Sequence, residues 1–246
     1  MATKTNYMPL FWADQARAEL GEERFAAAQR DPLDLDLLAW NVFQGLQTHF
    51  DQDWLAYRLQ QFGGTGVTAP VRMAMWTGVR TGPLLQPSRG YAEVIAQRAL
   101  SAGAQAQDLA TFRAPIEVPV RIEAPDVLCL VDTYLDAVDR GSGGRDRLLE
   151  LIDAGLEHAR HLSKTLAVAV VYRAGSPAAR ELSVRLEQLR QSLPRELSHQ
   201  PGASQVQLRE VSWQQLLRVW ESEAAYLDLD GSAKRFLSYV KQHGLY

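Results

Sequence analysis

The sequence predicts an α/β fold in which a mixed β-sheet carries helices on both faces, and three stretches support this. Residues 116–134 hold two β-branched apolar runs around Glu123-Ala124-Pro125-Asp126, the pattern of an antiparallel hairpin. Residues 146–162 (DRLLELIDAGLEHARHL) follow with the three- and four-residue apolar steps of an amphipathic helix. The run TLAVAVVY after it has no polar face, as expected of a strand covered on both sides. A hairpin, a crossover helix and a buried strand assemble into a mixed sheet with at least one parallel pair.

The remaining elements can be placed around this unit in chain order. Residues 11–30 are rich in helix formers, interrupted at Gly21, before Asp31-Pro32 breaks the chain. Leu38, Val42, Leu46 and Phe50 then recur on one stripe, with Trp40, Phe43, Leu55 and Leu59 on the next. This predicts a long helix, bent or broken near Asp51 and ended by Gly63-Gly64. Residues 65–90 are irregular and rich in glycine and proline, around a strand-like piece at 71–76. Residues 91–102 read as helix, and Gly141-Ser142-Gly143-Gly144 as a flexible loop. Further on, 177–193 is a helix and 206–211 a short strand, and Ser212 stands as N-cap of SWQQLLRVWESEAAYL. The segment GSAKRFLSYVKQHG supplies a last basic helix. One domain over 1–246 is expected, with a core at 36–220, an N-terminal helical extension at 1–35 and a C-terminal basic helix at 221–246.

Composition removes several functional classes. A chain of 246 residues can bury a substantial core without covalent staples. Its net charge of -3 provides no overall basic field, so nucleic-acid contact requires a local patch. Cys129, the only cysteine, sits in an apolar run and reads as a small buried hydrophobe, which leaves no disulfide framework and no cysteine zinc cluster. No stretch approaches about 20 apolar residues and the N-terminus has no apolar signal region, so a cytoplasmic protein without a membrane partner is expected.

With this order in place, the chain resembles the PD-(D/E)XK superfamily, the restriction-endonuclease-like fold, over residues 36–220. LLAWNVFQGL resembles its first helix, IEVPVRIEAPDVLCLVDTYLDA its acidic hairpin, and GRDRLLELIDAGLEHAR the helix that follows. KTLAVAVVY resembles its fourth strand and VSWQQLLRVW its C-terminal segment. The resemblance implies a restriction-endonuclease-like mixed sheet, with carboxylates at the hairpin holding Mg²⁺ over a phosphodiester and a lysine orienting the attacking water. Carried across by position, the metal aspartate falls on Pro119 and the Glu-x-Lys on Asp132-Thr133-Tyr134. Proline offers no side-chain ligand and tyrosine no positive charge; Asp132 alone fits. The first helix has no glutamate near Trp40-Asn41, where many members keep an acidic ligand.

The resemblance therefore implies a nuclease-like scaffold without catalysis, serving as a DNA-binding or assembly subunit in a prokaryotic DNA-repair or phage-defence system. An active Mg²⁺-dependent nuclease with a rearranged site is the alternative. It would use Asp132 as metal ligand, Glu117 (or Asp126 or Asp136) as second carboxylate, and Lys164 or a nearby arginine as charge stabiliser. Strand alternation puts Glu117 and Pro119 on one face and Asp132 and Tyr134 on one face. Arg140, Arg145 and Arg147 form a basic cluster beside this edge, suited to phosphate contacts. A protein-interaction module, as a homodimer or with another protein and without nucleic acid, is the third reading. His158 and His161 have a helical spacing able to chelate zinc, but no HExxH accompanies them. GSGGR lacks the Walker spacing and its lysine.

Overall fold

The computed structural model describes residues 7–47, 51–78, 82–101, 103, 109–138, 146–223 and 231–246. Its centre is a five-stranded sheet in the order β1 (Arg72–Thr77), β2 (Val118–Glu123), β3 (Val127–Thr133), β4 (Thr165–Tyr172) and β5 (Gln207–Ser212). β1–β2 and β2–β3 pair antiparallel, whereas β3–β4 and β4–β5 pair parallel, so β2 alone runs against the others. The expected hairpin is β2–β3, and its turn is closed by the Ala124 N–H donating to the Val127 carbonyl at 2.9 Å.

Alternation along the strands divides the core in two. Val120, Ile122, Cys129, Val131, Ala167, Ala169 and Val171 face one cluster. Covering that face are α1 (Ala13–Leu20), α2 (Glu22–Ala28), α3 (Leu35–Ala39), α4 (Gly45–Gln47), α5 (Gln52–Gly63), α9 (Trp213–Glu223) and α10 (Ser232–Gln242). Leu128, Leu130, Val168 and Val170 face the other, under α6 (Arg89–Ser101), α7 (Arg147–His161) and α8 (Pro177–Glu196). The interior of β4 is buried on both sides, which is why TLAVAVVY shows no alternation of polarity.

The two flanking segments belong to the first of these cores. Phe11 stacks on Trp220 at 5.2 Å between centroids, and Phe236 meets both rings edge-on at 5.9 and 5.8 Å. Ser212 and Gln215 form a reciprocal cap for α9: the Gln215 N–H donates to Ser212 Oγ at 3.2 Å and the Ser212 N–H to Gln215 Oε1 at 2.7 Å. Among the described residues, no helix is long and apolar enough to cross a membrane.

The long helix expected between Asp31-Pro32 and Gly63-Gly64 is interrupted twice. At Asp51 a new helix begins, its carboxylate accepting from the N–H groups of Asp53 and Trp54 at 2.9 and 3.0 Å. Gly64, at φ 74°, stops α5 where the glycine pair was expected to. The earlier interruption has no composition cue: Trp40–Gln44 is a π-helical turn between α3 and α4. Its widened turn coincides with a set of buried bonds to the N-terminal segment. Asn41 Oδ1 accepts from the Phe11 N–H at 3.0 Å, Asn41 Nδ2 donates to the Pro9 carbonyl at 2.8 Å, and Trp40 Nε1 donates to the Phe11 carbonyl at 2.6 Å.

Two outcomes follow from this packing. A Cβ on Gly45 would fall 2.2 Å from ring carbons of Trp220, whose indole is fixed by donation to the Val42 carbonyl at 3.1 Å. Gly45→Ala is expected to cost about 2 kcal/mol and lower the melting temperature by roughly 5 °C; an unchanged melting curve refutes this contact. Asp34 caps α3 through the Leu37 N–H at 3.0 Å, but burial, then the neighbouring charges of Asp36 and Asp31, push its carboxyl up to about 6. The folded chain thus holds this proton more tightly than the unfolded one. The stability it contributes is complete below the ordinary carboxylate range and is lost as pH rises through about 6. Asp34→Asn keeps the cap without the charge. In urea titrations it should gain about 1 kcal/mol over the parent at pH 8, with the gap closing near pH 3.5.

Candidate functional site

The second hairpin strand ends in a buried charge. Asp132 is 4% exposed and lies on the α7 face of β3 with Tyr134, two residues on. Arg147, the first residue of α7, donates from Nε to Asp132 Oδ2 at 3.1 Å and from Nη2 to Oδ1 at 3.2 Å. Tyr134 donates its hydroxyl to Oδ2 at 2.7 Å, and the Thr133 N–H lies 3.3 Å from Oδ1. Arg147 Nη2 reaches further, to the Glu117 carbonyl at 2.7 Å. One guanidinium thus ties together the entry to β2, the end of β3 and the start of α7.

Local structure holds this fork in place. Asp146 caps α7 through the Leu148 and Leu149 N–H groups at 3.0 and 3.1 Å. Its other oxygen accepts from Arg185 of α8 at 2.9 and 2.6 Å. Trp213 at the start of α9 donates Nε1 to the Tyr134 carbonyl at 2.9 Å, which fixes the strand end from the other side. Burial alone would discourage charge on Arg147, but the Asp132 carboxylate outweighs it and holds the guanidinium above its ordinary pKa. Burial, and then the Asp132 charge, push the Tyr134 phenol up, so it remains a donor.

The other expected residues do not converge on Asp132. The β2–β3 pairing ends at Val120 and Val131, one residue short of Pro119 on β2 and of Asp132 on β3. Glu117 points its carboxylate away, to Arg24 Nη1 at 2.6 Å. Arg24, on α2, also forks onto Asp36 with two bonds of 2.8 Å, and Asp36 accepts from Trp76 Nε1 at 2.9 Å. Arg24 and Arg147 belong to helices on opposite faces of the sheet, so the two carboxylates have separate cations. Lys164 must be corrected as a helper. It precedes β4, where Thr165 pairs with Val127; Asp132 pairs with Val170. Five residues along a strand separate the two ends by roughly 17 Å. There Lys164 donates to Glu123 at 2.6 Å, a bond that, as the leading cause, holds the Glu123 carboxyl below its ordinary value.

Asp126 stands in the hairpin turn, at the opposite end of β3 from Asp132, and Asp136 pairs with Arg173 at 3.1 Å. Arg140, Arg145 and the 141–144 loop lie outside the described residues. Arg147 is not a free member of that basic cluster, because its guanidinium is engaged by Asp132 and Glu117. Among the described residues, no group of three or more histidines, cysteines, aspartates or glutamates is placed to hold a metal ion. His161 turns Nδ1 to the Glu157 carbonyl at 2.6 Å. Cys129 is buried in the sheet, and burial raises its thiol pKa.

Two polar constellations were not anticipated. Arg24–Asp36–Glu117 joins residues far apart in sequence and left no local pattern. Asp153 is fully buried on α7, and its carboxylate accepts from the Ser88 N–H and hydroxyl at 2.5 and 3.0 Å. It also accepts from His199 Nε2 and Gln200 Nε2, both at 2.8 Å. A carboxylate inside the apolar stripe of LLELIDAGLEHA was its visible signal. Comparison of the chain with protein-family models, curated proteins and solved structures finds no match.

Removing the strut exposes its value. Arg147→Met leaves a buried carboxylate without a cation and should cost about 3–5 kcal/mol. Asp132→Asn in the same chain should return much of that loss, since the two changes act on one pair. A double-mutant cycle by chemical denaturation reads the coupling, and additive losses would show that the fork has no energetic role.

Proposed function

We propose that this chain is a nuclease-like scaffold that binds rather than cuts, acting as a DNA-binding or assembly subunit in a prokaryotic DNA-repair or phage-defence system. The order helix, hairpin, helix, parallel strand supports the PD-(D/E)XK reading of the fold, with Asp132 at the position of the acidic strand end. The observation that carries the reading is the Arg147 fork on Asp132. A divalent cation over a phosphodiester needs a carboxylate with open oxygen positions and a second acidic ligand. Here the first carboxylate is saturated by Arg147 and Tyr134, and Glu117, the second carboxylate the resemblance offered, is held by Arg24. The positive charge beside the strand end is internal to the fold and is not offered to a substrate.

Arg140 and Arg145 would then carry the phosphate contacts on this edge. A protein partner gains weight from the same fact, since the basic cluster has one fewer free member than its sequence suggests. The decisive assay incubates the protein with plasmid and single-stranded DNA in Mg²⁺ or Mn²⁺. No cleavage is expected, with no difference between the parent and Asp132→Ala. Metal-dependent cleavage abolished by Asp132→Ala overturns the reading. In salt-titrated binding, two arginine–phosphate contacts predict a slope of log K against log salt of about -2. Absence of binding at low salt assigns the scaffold to a protein partner alone.

A further inference from the structure

We propose that the cleft between residues 84–89, Arg113 and the last turns of α7 binds a small organic phosphate, independently of the reading above. The cleft has a volume of about 510 Å³, within the range of sites for mononucleotide-sized ligands. It is distinct from the Asp132 end of the sheet. α7 begins at Arg147 and ends at His161, so its last turn lies roughly 20 Å along the helix from the fork.

The wall of the cleft is firmly built. Asp153 holds Ser88 by backbone and side chain, and Ser88 in turn caps α6 by accepting the Tyr91 N–H at 3.1 Å. His199, whose Nε2 lies 2.8 Å from Asp153, packs so closely on α6 that a Cβ on Gly90 would lie 2.6 Å from its ring. A buried carboxylate met by four donors thus anchors Ser88 at the start of α6, and Arg113 reaches the neighbouring Pro87 carbonyl.

Charge counting on the lining leaves one cation over. Arg89 pairs with Glu93 at 2.8 Å, and Glu157 is held by Arg160 at 2.5 Å. The Asp153 charge is enclosed by its donors. Arg113 donates Nε to the Pro87 carbonyl at 3.2 Å and, among the described residues, has no carboxylate partner. Its remaining N–H groups form the planar fork that suits a phosphate. His158 adds a second unmet group: its Nε2 is buried without a hydrogen-bond partner. Burial, followed by the charge of Arg121, lowers its pKa, so it meets the ligand as a neutral donor or acceptor. At the rim Leu84 is 60% exposed, an apolar platform for the organic part. A phosphate on Arg113, a polar edge on His158 and a ring over Leu84 would use all three.

Calorimetry on the full chain at low salt, with AMP, adenosine and inorganic phosphate as probes, tests the assignment. AMP should bind saturably and adenosine at least about tenfold more weakly. Arg113→Gln should weaken AMP by about tenfold, while Arg209→Gln on β5 leaves it unchanged. Should Arg113→Gln not fold, the imidazole resonances of His158 in the parent protein serve instead, and must shift on addition of AMP. A 5′-phosphorylated oligonucleotide that displaces AMP identifies the phosphate as a strand end; failure to displace it identifies a free small molecule. No saturation by AMP up to about 1 mM, equal binding of adenosine, or an unmoved His158 overturns the site.

Discussion

A carboxylate taken out of water needs a counter-charge, and the end of β3 is organised around the one that Asp132 receives. An isolated buried ion costs several kcal/mol even after relaxation. A divalent metal is one solution at such a position; a guanidinium is another. Arg147 neutralises one negative charge and supplies parallel N–H donors that match the two carboxylate oxygens. The same side chain reaches the Glu117 carbonyl, so neutralisation and the docking of α7 on the hairpin are one interaction. Asp146, Arg185, Tyr134 and Trp213 all act on the geometry of that contact, from α7, α8, β3 and α9 respectively.

Much of the architecture was legible in the sequence, because periodicity and turn chemistry act locally. The hairpin, the crossover helix, the doubly buried β4, the break at Asp51, the stop at Gly64 and the cap at Ser212 all carry their signals within a few residues. The π-helical turn at Trp40–Gln44 does not, since the bonds that accompany it come from Pro9 and Phe11. Asn41 stands where an acidic residue was sought and uses its amide as both donor and acceptor to hold the N-terminal segment. A carboxylate could accept there but could not donate to the Pro9 carbonyl.

The site was legible only in part. Alternation correctly put Asp132 and Tyr134 on one face, where the tyrosine hydroxyl donates to the carboxylate. The partners of each carboxylate were not legible, because Arg24 stands 93 positions from Glu117 and Arg147 stands 15 positions from Asp132. Lys164 is a different kind of miss. A parallel strand that follows a crossover helix begins at the end where its neighbour begins. A residue just before β4 therefore belongs with Val127 and the hairpin turn, and the topology already inferred was enough to separate it from Asp132.

The two buried aspartates of α7 and β3 show how the same chain satisfies a carboxylate in two ways. Asp153 is met by a serine, a glutamine and a histidine, groups drawn from loops, and the result is a fixed wall beside an open cleft. Asp132 is met by an arginine whose helix must be docked for the fork to form, and the result is a filled junction. Freeing the Asp132 oxygens would require withdrawing Arg147, while Glu117 is engaged separately by Arg24 and linked through it to Asp36 and Trp76. The interaction that docks α7 on the hairpin is therefore the same one that fills the oxygen positions of Asp132.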